Sequence, residues 1–153
     1  MMENKYAKLF EPCQIGKLEI KNRMFMAPMG LVGFPTATAA SPRSARSTSS
    51  SAPGVEVVHS HGACFFMQLT GGLGRSAFPG STTKHIAPSE SKNRFDPRIQ
   101  HRAMTIEEIK ELIGNFVKSA AVAKQVGFDG VEIHAVHEGY LLDQFGMSFF
   151  NQR

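Results

Sequence analysis

The sequence contains no tryptophan, only two cysteines and no long apolar run. Cys13 and Cys64 are too few and too isolated to predict a disulfide framework or a zinc site, so we expect reduced thiols. No stretch approaches the roughly 18 apolar residues of a membrane-spanning helix, and we therefore expect no membrane partner. The charged first residues lack the basic-then-apolar pattern of a secretory signal, which favours a cytoplasmic location.

The chain also lacks a concentrated charge of either sign. It carries 17 lysine and arginine residues against 13 aspartate and glutamate residues, for a formal net charge of +4. The basic residues are scattered among acidic ones, and only Arg43 and Arg46 form a local cluster without acids. Because a mild excess of charge usually reflects a solvated surface, we expect no nucleic-acid partner.

What the sequence does contain is an alternation of predicted strands and helices over one domain of 153 residues. A turn at Gly16 predicts a short hairpin, and apolar runs predict strands at 24–27, 64–69 and 130–133. A helix is expected to end at Gly62. Because unalternating apolar strands are typical of a parallel sheet covered by helices, the predicted fold class is α/β.

The strongest predicted helix runs from Ile106 to about Gln125. Thr105 and Glu108 have the spacing of a capping box, and Gly127 supplies a stop signal. Apolar residues at helical spacing predict one buried face. Its members are Ile106, Ile109, Ile113, Phe116, Val117 and Ala120.

Two segments carry neither a helical nor a strand period. Residues 35–54 contain only small residues, prolines, arginines and hydroxyls, so we expect an irregular segment there. Residues 75–104, which are interrupted by Pro79, Pro88 and Pro97, predict a long loop. Loops of that length more often carry function than not.

Polar or flexible side chains close three of the predicted strands. Met29, Gln68 and His134 each stand at a carboxyl end, so we expect them to share the face of the sheet where ligands bind. Gln68 precedes a glycine-rich loop, and its amide offers a donor and an acceptor to the edge of a heterocyclic ring. A solvated glutamine beside a turn gives the same pattern.

The segment "EIHAVHEGYLLDQF" places two histidines and a tyrosine after the last predicted strand. His134 and His137 could aim two N–H donors at one substrate oxygen, or they could have a structural role alone. Tyr140 could act as a general acid, or pack at the start of a short helix that we expect from about that residue. Asp143 most simply serves the first turn of that helix, where negative charge is favoured.

Metal binding is the alternative chemistry for these histidines. Further candidate ligands are His59, His61 and Cys64. No spacing of carboxylates or thiols completes a zinc set with them, so we expect no metal site.

Several long stretches of the chain resemble, in the right order, the N-terminal half of the barrel of the Old Yellow Enzyme family of NADH:flavin oxidoreductases. They are "LFEPCQIGKLEIKNRMFMAPM", "HSHGACFFMQLTGGLGR", "IAPSE", "MTIEEIKELIGNFVKSAAVAKQVGFDGVEIHAVHEGYLLDQF" and a closing "NQR". The form "HAVHEGYLLDQF" is most similar to the branch of 2-enoate reductases, 2,4-dienoyl-CoA reductases and bile-acid oxidoreductases.

This resemblance implies a (β/α)8 barrel that binds FMN at the carboxyl ends of its strands. It implies hydride transfer from NADH or NADPH through the flavin to an activated C=C bond of a small unsaturated substrate. By the same resemblance, Pro28, Met29 and Gly30 would lie against the flavin, and Gln68 would bind its pyrimidine edge. Gly30 stands where many relatives have threonine, cysteine or alanine.

The resemblance also implies the catalytic residues. His134 and His137 would hold the substrate carbonyl or the flavin, and Tyr140 would be the proton donor. Glu138 lengthens the spacing between the histidines and the tyrosine relative to many relatives, so the match of each histidine to one role stays open.

Two departures from the family set the expected extent of the fold. The family normally has a barrel helix and a second strand where segment 35–54 stands, and a full barrel needs about 250 residues. We therefore expect residues 1–153 to form an incomplete FMN-binding domain, a partial (β/α)8 barrel that lacks one βα unit and the C-terminal strands. The composition of 35–54 resembles a shifted reading frame.

The expected function follows from this incomplete barrel. The chain would be a fragment of an FMN-dependent reductase of activated C=C bonds that is inactive alone. An iron–sulfur cluster would require a further C-terminal region. The alternative is a non-catalytic half-barrel that self-associates, or complements a separate C-terminal half, through exposed sheet edges.

Overall fold

The structure, a computed structural model, describes residues 5–28, 52–136 and 139–153 and alternates strands with helices. The strands are β1 (Cys13–Ile15), β2 (Leu18–Ile20), β3 (Phe66–Leu69), β4 (Ile86–Ala87), β5 (Ser91–Lys92), β6 (Gln100–Ala103) and β7 (Gly130–Ile133). The helices are α1 (Ala52–Ser60), α2 (Ile106–Val126) and α3 (Leu141–Gly146), and short 3-10 turns occupy Ala7–Phe10 and Gly74–Ser76.

The parallel pairing of β3 with β7 organises the fold. Phe66 pairs with Gly130 and Leu69 with Ile133, while α2 makes the crossover between the two strands. The predicted α/β class and the parallel sheet are confirmed. β1 and β2 form the predicted antiparallel hairpin around Gly16.

Helices pack on one side of this strand pair. Val55 of α1, Ala123 of α2 and Phe128 form a buried cluster against which Met67 of β3 also packs. On the other side, a Cβ atom at residue 130 would lie 2.6 Å from the Phe66 ring, so the glycine lets the aromatic ring cover its neighbouring strand. Each strand therefore has one face toward the helices.

Both ends of α2 are those predicted. The Thr105 hydroxyl accepts from the Glu108 N–H at 3.2 Å, and the Glu108 carboxylate accepts from the Thr105 N–H at 2.9 Å, which completes the capping box. At the other end Gly127 takes the left-handed conformation and donates to the carbonyls of Ala123 and Lys124. These caps satisfy backbone groups that the helix itself leaves unpaired.

The predicted buried face of α2 is partly wrong. Leu112, Ser119 and Ala123 are buried, whereas Ile113 is 59% exposed and Val117 is 66% exposed. Ile106 is also exposed. Apolar residues surround more of α2 than a pair of strands can cover, so the described fold leaves part of the predicted face open.

Two further predictions, for residues 24–27 and for segment 35–54, need correction. Residues 24–27 form no strand, because apolar content alone does not supply the neighbouring strand that a ladder requires. Residues 52–54 of the segment predicted as irregular lie in α1, whose first turn tolerates Pro53 because a proline there removes no helical hydrogen bond. The remainder of segment 35–54 lies outside the described residues.

The predicted loop at 75–104 contains a small mixed sheet with the order β4-β6-β5. Its strands are short and carry polar residues, so they have no apolar period. Asn93 holds this region together: its amide donates to the Ala77 carbonyl at 2.8 Å, while its side-chain oxygen accepts from the Phe95 N–H at 2.8 Å. Hydrogen bonds of a buried asparagine therefore help to shape this segment.

Within residues 5–28, 52–136 and 139–153, no helix is both long and apolar enough to cross a membrane.

The capping box gives a first testable prediction. We expect Thr105→Ala to lower the free energy of unfolding by about 1 kcal/mol, because the Glu108 N–H loses its acceptor. Thr105→Ser keeps the hydroxyl and should retain most of the stability. Urea unfolding followed by circular dichroism measures both, and an equal loss in the two variants would show that the hydroxyl is not the cause.

The partner of the capping carboxylate gives a second prediction. The Arg102 guanidinium donates to Glu108, and with the Thr105 N–H it lowers the pKa of that carboxyl from 4.5 to about 2. A lowered folded-state pKa adds stability that is present above the unfolded-state pKa and is lost as the pH falls toward the folded-state pKa.

We therefore expect the stability difference between the wild type and Glu108→Gln to be full above about pH 4.5 and to shrink toward about pH 2. Glu107→Gln, at an exposed position in the same helical turn, is the matched control for lost charge near the helix start. The same pH dependence in both variants would assign the effect to the helix dipole rather than to Arg102.

Candidate active site at the carboxyl ends of the parallel strands

Gln68 and His134 lie at the same edge of the parallel strand pair, which we call the carboxyl edge because β3 and β7 both end there. Gln68 is the penultimate residue of β3 and is half-buried. His134 directly follows β7, and its N–H donates to the Leu69 carbonyl at 2.8 Å, so pairing continues through both strand ends. Met29, the third residue expected here, lies outside the described residues.

Tyr140 lies beside His134. The centres of the two rings are 5.2 Å apart, with an angle of 53° between the ring planes. Both side chains are half-buried. Tyr140 immediately precedes α3, as expected, and its ring reaches back over the end of β7. An imidazole and a phenol therefore lie side by side at the carboxyl edge, while His137 lies outside the described residues.

The loop after β3 and the loop after β7 are joined by hydrogen bonds. The Leu141 N–H donates to the Gly72 carbonyl at 3.1 Å. The Gln144 amide donates to the Leu73 carbonyl at 3.1 Å and to the Gly139 carbonyl at 2.6 Å, and its oxygen accepts from the Arg75 N–H at 3.3 Å. Gln144 thus contacts both loops from within α3.

Two other buried polar side chains contact the same glycine. The Ser76 hydroxyl donates to the Gly139 carbonyl at 3.0 Å, and the Asp143 carboxylate accepts from the Gly139 N–H at 2.8 Å. The sequence pattern predicts for Asp143 only a role at the start of α3, and it predicts no role for Ser76 or Gln144. The available signal was the pair of polar residues inside the apolar run "LLDQF".

The N-terminal segment lies against the parallel strand pair. Phe25 and Ile15 line a hollow of about 220 Å³ together with Phe66, Val131 and Glu132. Phe66 is the first residue of β3 and Glu132 pairs with Gln68, so this hollow extends along the strands from their amino ends. Pro28, three residues after Phe25, is exposed, and Gly30 lies outside the described residues.

One of the candidate metal ligands, His59, has a structural partner. His59 lies 2.8 Å from the Asp129 carboxylate, which also accepts from the Phe65 N–H at 2.7 Å. Burial raises the pKa of Asp129, but these hydrogen bonds outweigh it and hold the pKa below its usual value. Across the three described ranges, no group of three histidine, cysteine or acidic residues could hold a metal ion.

The carboxyl edge fits one end of a flavin ring. The Gln68 amide supplies a donor and an acceptor for an imide edge, and the loop that follows contains Gly72, where a Cβ atom would meet nothing within 4 Å, so that a ring can approach the backbone. A Cβ atom at residue 71 would lie 3.4 Å from Leu142, so the loop packs closely on α3. The amide, imidazole and phenol groups here suit an uncharged ring and an adjacent carbonyl.

Comparison with known proteins agrees with this arrangement. Residues 44–153 match the model of the NADH:flavin oxidoreductase / NADH oxidase family. The chain belongs to this family. It is 40% identical to the cinnamate reductase of Clostridium sporogenes over 195 residues, which cover 99% of this chain and 29% of that protein.

Two solved structures share the fold. Histamine dehydrogenase from Rhizobium sp. 4-9 superposes with a TM-score of 0.75 at 25% identity, over 99% of this chain and 29% of that one. Old Yellow Enzyme from Pichia sp. AKU4542 gives a TM-score of 0.73 at 28% identity, over 95% of this chain and 50% of that one. The expected partial (β/α)8 barrel is therefore confirmed.

The alignment with cinnamate reductase is longer than this chain. The alignment with cinnamate reductase extends over 195 residues although this chain has 153, so the relative contains residues with no counterpart here. This agrees with the expected loss of a βα unit. The chain spans less than a third of that relative and about half of the Old Yellow Enzyme chain.

The contact between the loop after β3 and α3 gives a third prediction. Gly74 has a φ of +52°, and a Cβ atom there would lie 2.5 Å from the Gln144 side-chain oxygen. We expect Gly74→Ala to lower the free energy of unfolding by at least about 1 kcal/mol, since it combines backbone strain with a clash.

Gly114 is the matched control glycine, because it lies inside α2 and a Cβ atom there would meet nothing within 4 Å. Gly114→Ala should raise the free energy of unfolding by about 0.5–1 kcal/mol. Thermal unfolding of both variants tests the pair, and a Gly74→Ala variant as stable as the wild type would contradict the observed contact.

Proposed function

We propose that this chain provides part of the active site of an FMN-dependent reductase that uses NADH or NADPH to reduce C=C bonds conjugated to a carbonyl or carboxylate. The observation that carries this proposal is the contact of the Tyr140 and His134 rings at the carboxyl edge, where the His134 N–H pairs with Leu69, the residue after Gln68. The similarity to a cinnamate reductase supports an unsaturated acid as the substrate class. The cytoplasmic location of the chain stays a prediction.

The proposed flavin contacts come from the strand ends. Gln68 would hold the pyrimidine edge of FMN through its amide, with the loop after β3 leaving room for the ring. Pro28, Met29 and Gly30 are proposed to lie against the same ring. When bound, FMN supplies the hydride that it receives from NADH or NADPH.

The proposed substrate contacts come from the segment after β7. His134, together with His137, would donate hydrogen bonds to the carbonyl oxygen, where negative charge develops as the β-carbon accepts hydride. Tyr140 would then give its phenolic proton to the α-carbon, which completes the addition of H⁻ and H⁺ across the double bond. Its position next to His134 puts donor and proton source on one substrate.

A second candidate function is favoured by the uncovered side of β7. Val131 and Ile133 are exposed, as is Ile113 on α2. Among the described residues β7 pairs with β3 alone, so its other edge is unpaired. Unpaired strand edges promote association with another chain. In this case the chain would be a non-catalytic half-barrel that pairs with a second copy.

Separating the two half-reactions tests the first candidate. We expect Tyr140→Phe to leave flavin reduction by NADH unchanged and to slow reoxidation by cinnamate by about 10²–10⁴-fold, because only the second step needs the phenolic proton. Stopped-flow absorbance of the flavin measures both steps. Tyr6→Phe, at an exposed position, is the matched control.

An equal slowing of both steps would contradict the proton-donor role. An FMN titration with Gln68→Leu, which should weaken binding, tests the flavin contact separately. Purified chain that binds no FMN and elutes as a dimer would exclude independent catalysis and favour the second candidate.

A further inference from the structure

Three buried polar side chains surround the peptide group that precedes Tyr140. Gln144 is fully buried, Ser76 is 3% exposed and Asp143 is 8% exposed. We call these three residues the polar cluster. None of them has a part in the proposed reaction, and burial of polar groups is unfavourable unless each forms hydrogen bonds.

The polar cluster fixes both sides of residue 139. The Gly139 carbonyl accepts from the Gln144 amide and the Ser76 hydroxyl, and its N–H donates to Asp143. Because that carbonyl belongs to the peptide bond leading into Tyr140, its orientation sets the direction in which the tyrosine leaves the backbone. Gly139 has a φ of +76°, a left-handed conformation that glycine adopts without the steric cost that other residues meet.

Within the cluster, Ser76 belongs to the loop after β3 and makes one hydrogen bond to Gly139, whereas Gln144 binds that loop at two places from α3. It contacts Leu73 and Arg75 in that loop as well as Gly139. The loop begins two residues after Gln68, whereas Gly139 directly precedes Tyr140. The Gln144 side-chain amide therefore connects the loop that follows the proposed flavin contact to the loop that carries the proposed proton donor.

We propose that Gln144 is a positioning residue, which sets the separation of Gln68 and Tyr140 and so aims the phenol at the carboxyl edge. This inference rests on the proposed function, since it assigns Gln144 to that site. An apolar residue of similar size would fill the same space but would remove one of the two donors to each of the carbonyls of residues 73 and 139. It would also take away the side-chain acceptor of the Arg75 N–H, and a buried group that loses a hydrogen bond is costly. The cluster thus couples two loops that the strand pairing alone leaves independent.

Hydrogen exchange of single amides tests the coupling without any cofactor. In Gln144→Met, the amides of Gly139 and Leu141 should exchange at least about tenfold faster, since the variant removes hydrogen bonds that hold the two loops closed. The amides of Phe128 and His134, which belong to the core and the strand pairing, should change by less than about twofold. Gln125→Met, at an exposed position on α2, is the matched control.

Tyrosine fluorescence gives a readout of orientation. The chain has two tyrosines and no tryptophan, so in a Tyr6→Phe background Tyr140 is the sole source of this emission. We expect Gln144→Met in that background to increase quenching of Tyr140 by acrylamide by about twofold or more, because a released loop exposes the half-buried ring.

Ser76→Ala is a milder variant should Gln144→Met fail to fold. It removes one hydrogen bond to Gly139 and should shift exchange and quenching in the same direction by a smaller factor. Ser119→Ala, at a buried serine on α2, should shift neither.

The outcomes distinguish this inference from the proposed function. Uniformly faster exchange, or unchanged Tyr140 quenching in both cluster variants, would overturn the positioning role even if FMN binds. Localised exchange together with a wild-type chain that binds no FMN would support the coupling of the loops and reject the proposed function for this chain alone.

Discussion

The hydrogen-bonded pairing of β3 with β7 is the interaction on which the rest of the structure depends. Parallel strands cannot be joined by a tight turn, so a helix must cross from the end of one to the start of the other. That requirement places α2 over the pair and brings both carboxyl ends to one edge. Gln68 and His134, which lie 66 positions apart in the chain, are neighbours for this reason alone.

The two ends of the strand pair have different roles. At the amino ends, the Asp129 carboxylate bridges His59 and the Phe65 backbone and so fixes where both strands begin. At the carboxyl ends, short loops are held by buried side chains of α3. This division agrees with the general behaviour of α/β barrels, in which one face stabilises and the other carries chemistry.

Local signals explain which features could be predicted from sequence. The limits of α2 follow from Thr105, Glu108 and Gly127, because each acts on its own backbone and needs no distant partner. The exposed side of α2 could not be predicted in the same way, since Val117 is apolar whether or not a neighbour covers it. The small sheet around Asn93 gave no apolar pattern because polar hydrogen bonds hold it. The burial of Gln144 could not be predicted, because a glutamine in a short helix usually faces solvent.

The contact between Gly74 and Gln144 constrains how this chain can change over evolutionary time. A side chain at position 74 and a long amide at position 144 exclude each other, so the two positions should vary together among homologues. A lineage that loses the amide becomes free to replace the glycine, and a lineage that replaces the glycine first must shorten residue 144. Covariation between these positions would then mark which relatives keep the two loops joined.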